Sequence, residues 1–190
     1  MNKLTRVMDA TLKRSQGENK VEGIACVFNR EADLYWFDEE ISPRAFDNAD
    51  MSDVVLNFNH DNNLLLAGTR NGSLSLEVRE DGLFQSATIV DTTQGRDVLK
   101  LVESGLISKM SFCFEIAPDG EEWTTRNGRE HRLITAIERV YDVSLVTFPA
   151  YSDTSAWLSR SNDDLAEKHK ALMERRAEQD RKMEELFKHE

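Results

Sequence analysis

The sequence predicts a β-rich α+β fold, a small and mostly antiparallel β-barrel or sandwich of about seven strands with one internal helix. Three observations lead to this prediction. Short apolar or alternating segments recur between residues 21 and 148, tight-turn signals separate several of them, and only one segment between them has helical spacing. Because strands and helices do not alternate along the chain, a doubly wound parallel sheet is not expected.

Seven segments have strand character. Residues 73–79 (SLSLEVR) alternate polar and apolar side chains, the pattern of a half-buried strand, and Asp81-Gly82 joins them to the next segment as a hairpin. Asn71-Gly72 and Asn127-Gly128 mark further tight turns. The strand-like segments are residues 21–28, 54–58, 73–79, 83–90, 109–116, 133–137 and 143–148.

The internal helix is predicted just after residue 92. Residues 91–93 (DTT) offer N-cap side chains, and Gly105 is suited to end the helix. Between them, apolar residues recur at helical spacing: Val98, Leu101, Val102 and Leu106.

Composition divides the chain into three parts. Residues 1–20 are polar without a regular apolar period, which predicts a flexible N-terminal arm. Residues 21–158 form the folded domain. Residues 159–190 are rich in Glu, Lys, Arg, Ala and Leu and contain no Gly or Pro, which predicts a charged C-terminal helix capped by Ser161 or Asn162. This helix is either solvated or a docking element for a scaffold, another partner or a second copy.

The charge of the chain argues against two classes of partner. The formal net charge is −11 and the isoelectric point about 4.9, so the surface repels phosphate backbones and anionic lipids. No apolar run approaches the roughly 20 residues that a bilayer span needs, and residues 1–20 do not resemble a signal peptide. We therefore expect a cytoplasmic protein that binds neither nucleic acid nor membranes.

No cofactor or metal is expected. Cys26 and Cys113 lie in apolar segments and are predicted to be reduced core residues. His60 and Asp61 offer two ligands without a third at recognisable spacing, and the chain has no P-loop and no GxGxxG motif.

Two of the four histidines belong to the folded domain. His169 and His189 lie in the charged tail, which leaves His60 and His131. His60 follows the apolar segment VVLNF, and a strand end holds a side chain rigidly at the rim of a sheet, as a general base requires.

Ser111 is the candidate nucleophile, since it lies in the strand-like segment KMSFCFEI directly after the helix. A serine needs a base within about 3 Å and a third group that orients this base. Asp142, Glu138 and His131 all qualify for the third position. These residues permit a Ser/His/acid hydrolase without requiring one.

Five segments in order resemble the prohead protease family of tailed bacteriophages, whose fold is similar to that of herpesvirus assemblin proteases. The resemblance covers about residues 21–157, and its most specific part is YDVSLVTFPAY. The segments are GIACVFN (23–29), ISPRAF (41–46), LNFNHD (56–61), residues 95–116 and YDVSLVTFPAY (141–151).

The resemblance implies roles for three residues: Ser111 as nucleophile, His60 as general base and Asp142 as the third member, where the family usually has glutamate. Glu138 and His131 remain alternatives to Asp142. Cys113 and Arg44 stand where the family usually has glycine, which affects the backbone near the site but removes no catalytic group.

The resemblance also implies a function. The expected enzyme is a serine endopeptidase that cleaves the scaffold region of the major capsid protein, any separate scaffold and itself, inside the prohead in the host cytoplasm. It needs no cofactor, and self-association remains open. Two other hypotheses are a non-catalytic capsid-assembly module with the same fold and a thiol hydrolase that uses Cys113.

Overall fold

A computed structural model describes residues 3–9, 13–14, 19–34 and 37–147. In this part of the chain, thirteen strands accompany one α-helix, α1 (Thr93–Glu103), and one 3-10 turn, Pro43–Phe46. The strands are β1 (Leu4–Asp9), β2 (Lys13–Arg14), β3 (Lys20–Val27), β4 (Ala32–Asp33), β5 (Phe37–Ile41), β6 (Val55–Phe58), β7 (Asp61–Gly68), β8 (Leu74–Val78), β9 (Gly82–Thr88), β10 (Lys109–Ile116), β11 (Glu121–Arg126), β12 (Arg129–Ile134) and β13 (Ile137–Val146).

The strands form three sheets, with the orders β1-β10-β13-β6-β7, β2-β3-β9-β8 and β11-β12-β5-β4. Strand pairs β5–β12 and β6–β13 are parallel, and the other ladders are antiparallel. The β-rich, mostly antiparallel architecture with one helix is thereby confirmed.

The sequence predicted a small barrel or sandwich, and none of the described sheets is closed into a barrel. Among the described strands each sheet is open, because its two terminal strands do not pair with each other. Closure requires hydrogen bonds between the two terminal strands of a sheet. Strands β4, β5, β11 and β12 instead pair with one another as a separate sheet.

The N-terminal segment also differs from its prediction as a flexible arm, because it contains β1 and β2. Strand β1 pairs antiparallel with β10 along its whole length, from Leu4 opposite Phe114 to Asp9 opposite Lys109. The side chains of Leu4 and Arg6 are buried. The predicted helix of residues 159–190 lies outside the described residues.

Local signals placed most of the central elements correctly. Thr92 caps α1 by accepting a hydrogen bond from the backbone N–H of Gly95 at 3.0 Å. Gly105 follows the helix with φ of 76°. In the turn between β11 and β12, Asn127 and Gly128 both have positive φ, as a two-residue hairpin turn requires.

The core lies against one face of β10. The rings of Phe112 and Phe114 are stacked with centroids 4.6 Å apart, and Phe46 from the 3-10 turn packs against Phe112 at 6.2 Å. Five consecutive residues of β10, from Met110 to Phe114, are buried. Strand β10 is therefore covered on both faces, including the face that carries Ser111.

Candidate active site

The register of the five-stranded sheet brings three polar side chains into one row. Ser111 on β10 is directly opposite Ser144 on β13, and Ser144 is directly opposite Asn57 on β6. Directly paired residues point to the same face of a sheet. The next row on this face carries Cys113 opposite Asp142. Ser111, Ser144 and Asn57 are fully buried.

His60 lies in the turn between β6 and β7. Both Asn59 and His60 adopt the left-handed conformation, with φ of 54° and 57°. Most residues other than glycine avoid this region, and asparagine and histidine are among those that enter it more readily. Hydrogen bonds to β13 and its end hold the turn: the Asn59 N–H donates to the carbonyl of Leu145 at 2.9 Å, and the Thr147 N–H donates to Asn59 Oδ1 at 3.1 Å. The imidazole is therefore fixed relative to the sheet.

The imidazole of His60 lies between Ser111 and Asp142. Its Nε2 is 2.7 Å from Ser111 Oγ, and its Nδ1 is 2.6 Å from Asp142 Oδ1. With the proton on Nδ1 donated to the carboxylate, Nε2 is free to accept the hydroxyl proton of Ser111. The side chains of His60 and Asp142 remain 19% and 13% exposed, so solvent reaches the edge of the arrangement.

The Ser111 hydroxyl has a second acceptor. Its Oγ lies 2.9 Å from the backbone carbonyl oxygen of Arg6 on β1. A hydroxyl carries one proton, so the Arg6 carbonyl and His60 Nε2 compete for it when the imidazole is neutral. The N-terminal strand is thus in direct contact with the candidate nucleophile.

Two sequence-predicted alternatives lie elsewhere. Glu138 is exposed near the start of β13, and its backbone carbonyl accepts a hydrogen bond from Asp50. His131 is buried on β12, in a different sheet, with its Nε2 3.0 Å from Arg126 and 3.4 Å from Glu40. Of the five predicted site residues, the structure brings together Ser111, His60 and Asp142.

Cys113 is adjacent to the site without being activated by it. Burial and the nearby Asp142 carboxylate raise the pKa of the Cys113 thiol to about 11. A cysteine nucleophile reacts as the thiolate, which requires a lowered pKa. The environment of Cys113 therefore disfavours the thiol-hydrolase hypothesis.

One cluster has the composition of a metal site. Ligand atoms of Glu31, Glu40 and His131 lie within 4.8 Å of one another. The guanidinium of Arg126, however, lies 3.0 Å from His131 Nε2 and 3.6 and 3.7 Å from the two carboxylates. Because Arg126 already supplies the positive charge, the cluster is explained as an ion-pair network.

Sequence reasoning missed three groups in contact with the site: the side chains of Ser144 and Asn57 and the backbone carbonyl of Arg6. A signal for Ser144 was present, because it follows Asp142 at the two-residue spacing that places side chains on one face of a strand. Asn57 is a polar residue inside the apolar segment VVLNF. The contact of Arg6 with a serine 105 positions later has no local signal.

A serine, an imidazole and a carboxylate hydrogen-bonded in this order form the arrangement used by serine hydrolases. The sequence also matches the family described as Caudovirus prohead serine protease over residues 7–169. The chain belongs to this family. It is accordingly grouped with the serine proteases of capsid maturation in tailed bacteriophages, and the resemblance seen in the sequence motifs is confirmed.

Solved structures and curated proteins give two further comparisons. Among solved structures, the fold is similar to the bacteriophage T4 capsid assembly protease, gp21, with a TM-score of 0.47, 11% sequence identity, and coverage of 78% of this chain and 98% of that chain. The search of curated proteins finds no match. Within the described residues, no helix has the length and apolar character needed to span a membrane.

Proposed function

We propose that this chain is a serine endopeptidase of prohead maturation, with Ser111 as nucleophile, His60 as general base and Asp142 as the group that orients His60. One observation carries the proposal: the hydrogen-bonded series Ser111 Oγ, His60 Nε2, His60 Nδ1 and Asp142 Oδ1, with contacts of 2.7 and 2.6 Å. Family membership supports the same reaction class.

The proposed mechanism is acyl transfer to water. His60 Nε2 accepts the hydroxyl proton while Ser111 Oγ attacks the scissile carbonyl carbon. The protonated imidazole, stabilised by Asp142, then donates this proton to the leaving amine as the peptide bond breaks. In the second half of the cycle His60 Nε2 takes a proton from water as the water oxygen attacks the acyl carbon. The protonated imidazole then returns this proton to Ser111 Oγ as the bond between Oγ and the acyl carbon breaks, which restores the enzyme.

The proposed substrates are the major capsid protein with its scaffold region, any separate scaffold protein and the protease itself. Cleavage takes place inside the assembling prohead in the host cytoplasm. The proposed organisation is an N-terminal segment of residues 1–20, a protease domain of residues 21–158 and a charged helical tail of residues 159–190. Strand β1 couples the N-terminal segment to the protease sheet through β10.

The test of the proposed reaction is coexpression of the full chain with the capsid and scaffold proteins of its own phage. Wild-type protease is expected to shorten the capsid protein, and Ser111→Ala and His60→Ala are each expected to leave it intact. Ser86→Ala is the matched control, because Ser86 is a strand serine in another sheet that donates to Glu22 at 3.1 Å. Capsid-protein cleavage that continues unchanged in Ser111→Ala contradicts the proposal.

The charged tail is proposed to bring the protease into the prohead. A docking helix raises the effective concentration of the enzyme near its substrates without contributing to the chemistry. Deletion of residues 161–190 is expected to leave cleavage of a short peptide unchanged and to reduce the amount of protease that copurifies with proheads. Normal incorporation of the deletion variant contradicts this role.

A further inference from the structure

Ser144 contacts several groups of the candidate active site, although no role has yet been assigned to it. Its Oγ lies 3.0 Å from His60 Nδ1 and 3.0 Å from Asp142 Oδ1, and it accepts the backbone N–H of His60 at 3.1 Å. It also contacts Asn57 Oδ1. Ser144 and Asn57 are both fully buried, so water cannot substitute for these contacts.

The donors and acceptors around Ser144 restrict how it bonds. A serine hydroxyl donates one proton and accepts at two lone pairs. One lone pair is occupied by the His60 N–H. Asp142 Oδ1 and Asn57 Oδ1 are the acceptors within reach of its proton, whereas Asn57 Nδ2, also buried, has no hydrogen-bond partner among the described residues.

Exchanging the two ends of the Asn57 amide gives both lone pairs and the proton of the Ser144 hydroxyl a partner. Nδ2 then donates to the second lone pair of Ser144 Oγ, and the Ser144 hydroxyl donates to Asp142 Oδ1. His60 Nδ1–H donates to the same carboxylate. The exchange gives an Asn57 N–H an acceptor and leaves Asn57 Oδ1 at the position that has no partner among the described residues. We adopt this arrangement because a buried N–H without an acceptor is rarer than a buried carbonyl oxygen without a donor.

We propose that Ser144 is a positioning residue of the active site, held by Asn57, which orients the Asp142 carboxylate and the His60 turn at the same time. This inference rests on the proposed function and deepens it. The hydroxyl directs one carboxylate oxygen toward His60 Nδ1, and it accepts the N–H of a residue in the left-handed conformation, φ of 57°. Ser144 Oγ makes its hydrogen bonds to His60, Asp142 and Asn57, and the Ser111 hydroxyl makes its own to His60 and the Arg6 carbonyl.

The geometry explains why one hydroxyl serves both purposes. Ser144 lies between Ser111 and Asn57 in the cross-strand row. Its Oγ is 3.0 Å from Nδ1 of the imidazole that joins Ser111 to Asp142. A change of the imidazole angle alters the distance to Ser111, and small misplacements of reacting groups reduce rates strongly. Ser144 is therefore expected to affect kcat and not substrate binding.

The test compares Ser144→Ala, Ser144→Cys and Asn57→Leu in the full chain with wild type and with Ser86→Ala as the matched control. Each variant is assayed for kcat and KM on a peptide from the capsid-protein cleavage site, for the rate of Ser111 labelling by a fluorophosphonate, and for folded fraction by circular dichroism. Ser144→Cys keeps a side chain of similar size with a weaker donor, and Asn57→Leu keeps the shape without the amide.

The expected result is a loss of about ten- to a hundredfold in kcat and in labelling rate per folded molecule for Ser144→Ala, with KM unchanged. Ser144→Cys and Asn57→Leu lose activity in the same direction, and Ser86→Ala behaves as wild type. In 15N-labelled protein, the downfield proton on His60 Nδ1 is expected to shift upfield and exchange faster with water in Ser144→Ala. A purely structural serine would lower the folded fraction and leave this signal in place.

The outcomes separate the two proposals. If fluorophosphonate fails to label Ser111 in wild type, the proposed function is wrong. If wild type and Ser144→Ala are labelled at the same rate and show the same His60 proton signal, the proposed function stands and the positioning role is overturned. If Ser144→Ala does not fold, Ser144→Cys decides in the same way.

Discussion

Arg6 on β1 forms a buried ion pair with Glu39 on β5, although the two residues are 33 positions apart and belong to different sheets. Arg6 Nη2 donates to Glu39 Oε2 at 2.7 Å, and Arg132 donates to the same oxygen at 3.2 Å. The same residue, Arg6, offers its backbone carbonyl to Ser111. The ion pair therefore anchors the strand that contacts the candidate nucleophile.

Replacing Glu39 with glutamine is expected to destabilise the protein by about 3–5 kcal/mol, because it breaks the buried ion pair with Arg6. Arg132 keeps its second carboxylate partner, Glu121. Urea denaturation followed by circular dichroism measures the free energy of unfolding. Asp53→Asn is the matched control, since Asp53 pairs with Arg70 at the surface and the loss of an exposed pair costs about 0–1 kcal/mol. Equal losses for the two variants would argue against the anchoring role of Glu39.

Replacing Asp142 with asparagine is expected to lower kcat by about three to four orders of magnitude with little change in KM, because an amide does not stabilise the protonated His60. Asp142→Glu restores the charge on a longer side chain and is expected to recover part of the activity. Glu138→Gln is the control and is expected to cleave normally, since Glu138 is exposed. A loss confined to Glu138→Gln would reassign the third position to Glu138.

The thiol of Cys113 is expected to resist alkylation at neutral pH. Its pKa, raised to about 11, leaves roughly one thiol in a thousand ionised at pH 8, and the fraction increases only as the pH approaches 11. Iodoacetamide labelling mapped by mass spectrometry, in native and urea-unfolded protein across this pH range, measures the effect.

Activity provides the second measurement for Cys113. Cys113→Ala is expected to retain capsid-protein cleavage, as is the matched variant Cys26→Ala, which removes a buried thiol from another sheet. Cleavage that disappears in Cys113→Ala and persists in Ser111→Ala would instead support the thiol hydrolase.

The left-handed turn that carries His60 should be sensitive to Asn59. Asn59→Ala puts a residue that tolerates the left-handed conformation less well than asparagine at φ of 54° and removes the acceptor for the Thr147 N–H. Together these changes are expected to cost about 1–3 kcal/mol in the free energy of unfolding and to lower kcat. Asn59→Gly relieves the backbone strain and is expected to cost less.

The control for Asn59 is Asn127→Ala, because Asn127 has a similar φ of 53° in the turn between β11 and β12. It is expected to destabilise the protein without altering kcat per folded molecule. If Asn59→Ala and Asn127→Ala leave kcat equally unaffected, the turn does not contribute to the placement of His60.

Strands such as β8, β9 and β10 and the helix α1 could be predicted because their signals are local: alternation of side chains, an Asp-Gly turn and a threonine cap. Strands β1 and β5 were missed because each buries a charged residue, Arg6 or Glu39. A charged side chain in the sequence predicts an exposed position. Arg6 and Glu39 can be buried only because they pair with each other. This pairing links positions far apart in the chain.

The choice between a barrel and a sandwich could not be made from the sequence for a related reason. Strand number and alternation do not specify which edges pair, since closure depends on hydrogen bonds between distant strands. The structure ends its five-stranded sheet at β1 and β7 and places β4, β5, β11 and β12 in another sheet.

For the site, the chain's motifs indicated Ser111 and His60 and left three residues competing for the third position, since spacing along a chain carries no information about side-chain distance. The register between β10 and β13 places Cys113 opposite Asp142 and Ser111 opposite Ser144. The turn after β6 then places the His60 imidazole between Ser111 and Asp142. Only the tertiary structure decides which side chains meet in the site. Hydrogen bonds of 2.6–2.7 Å between them require strands far apart in sequence to be aligned to within a single residue.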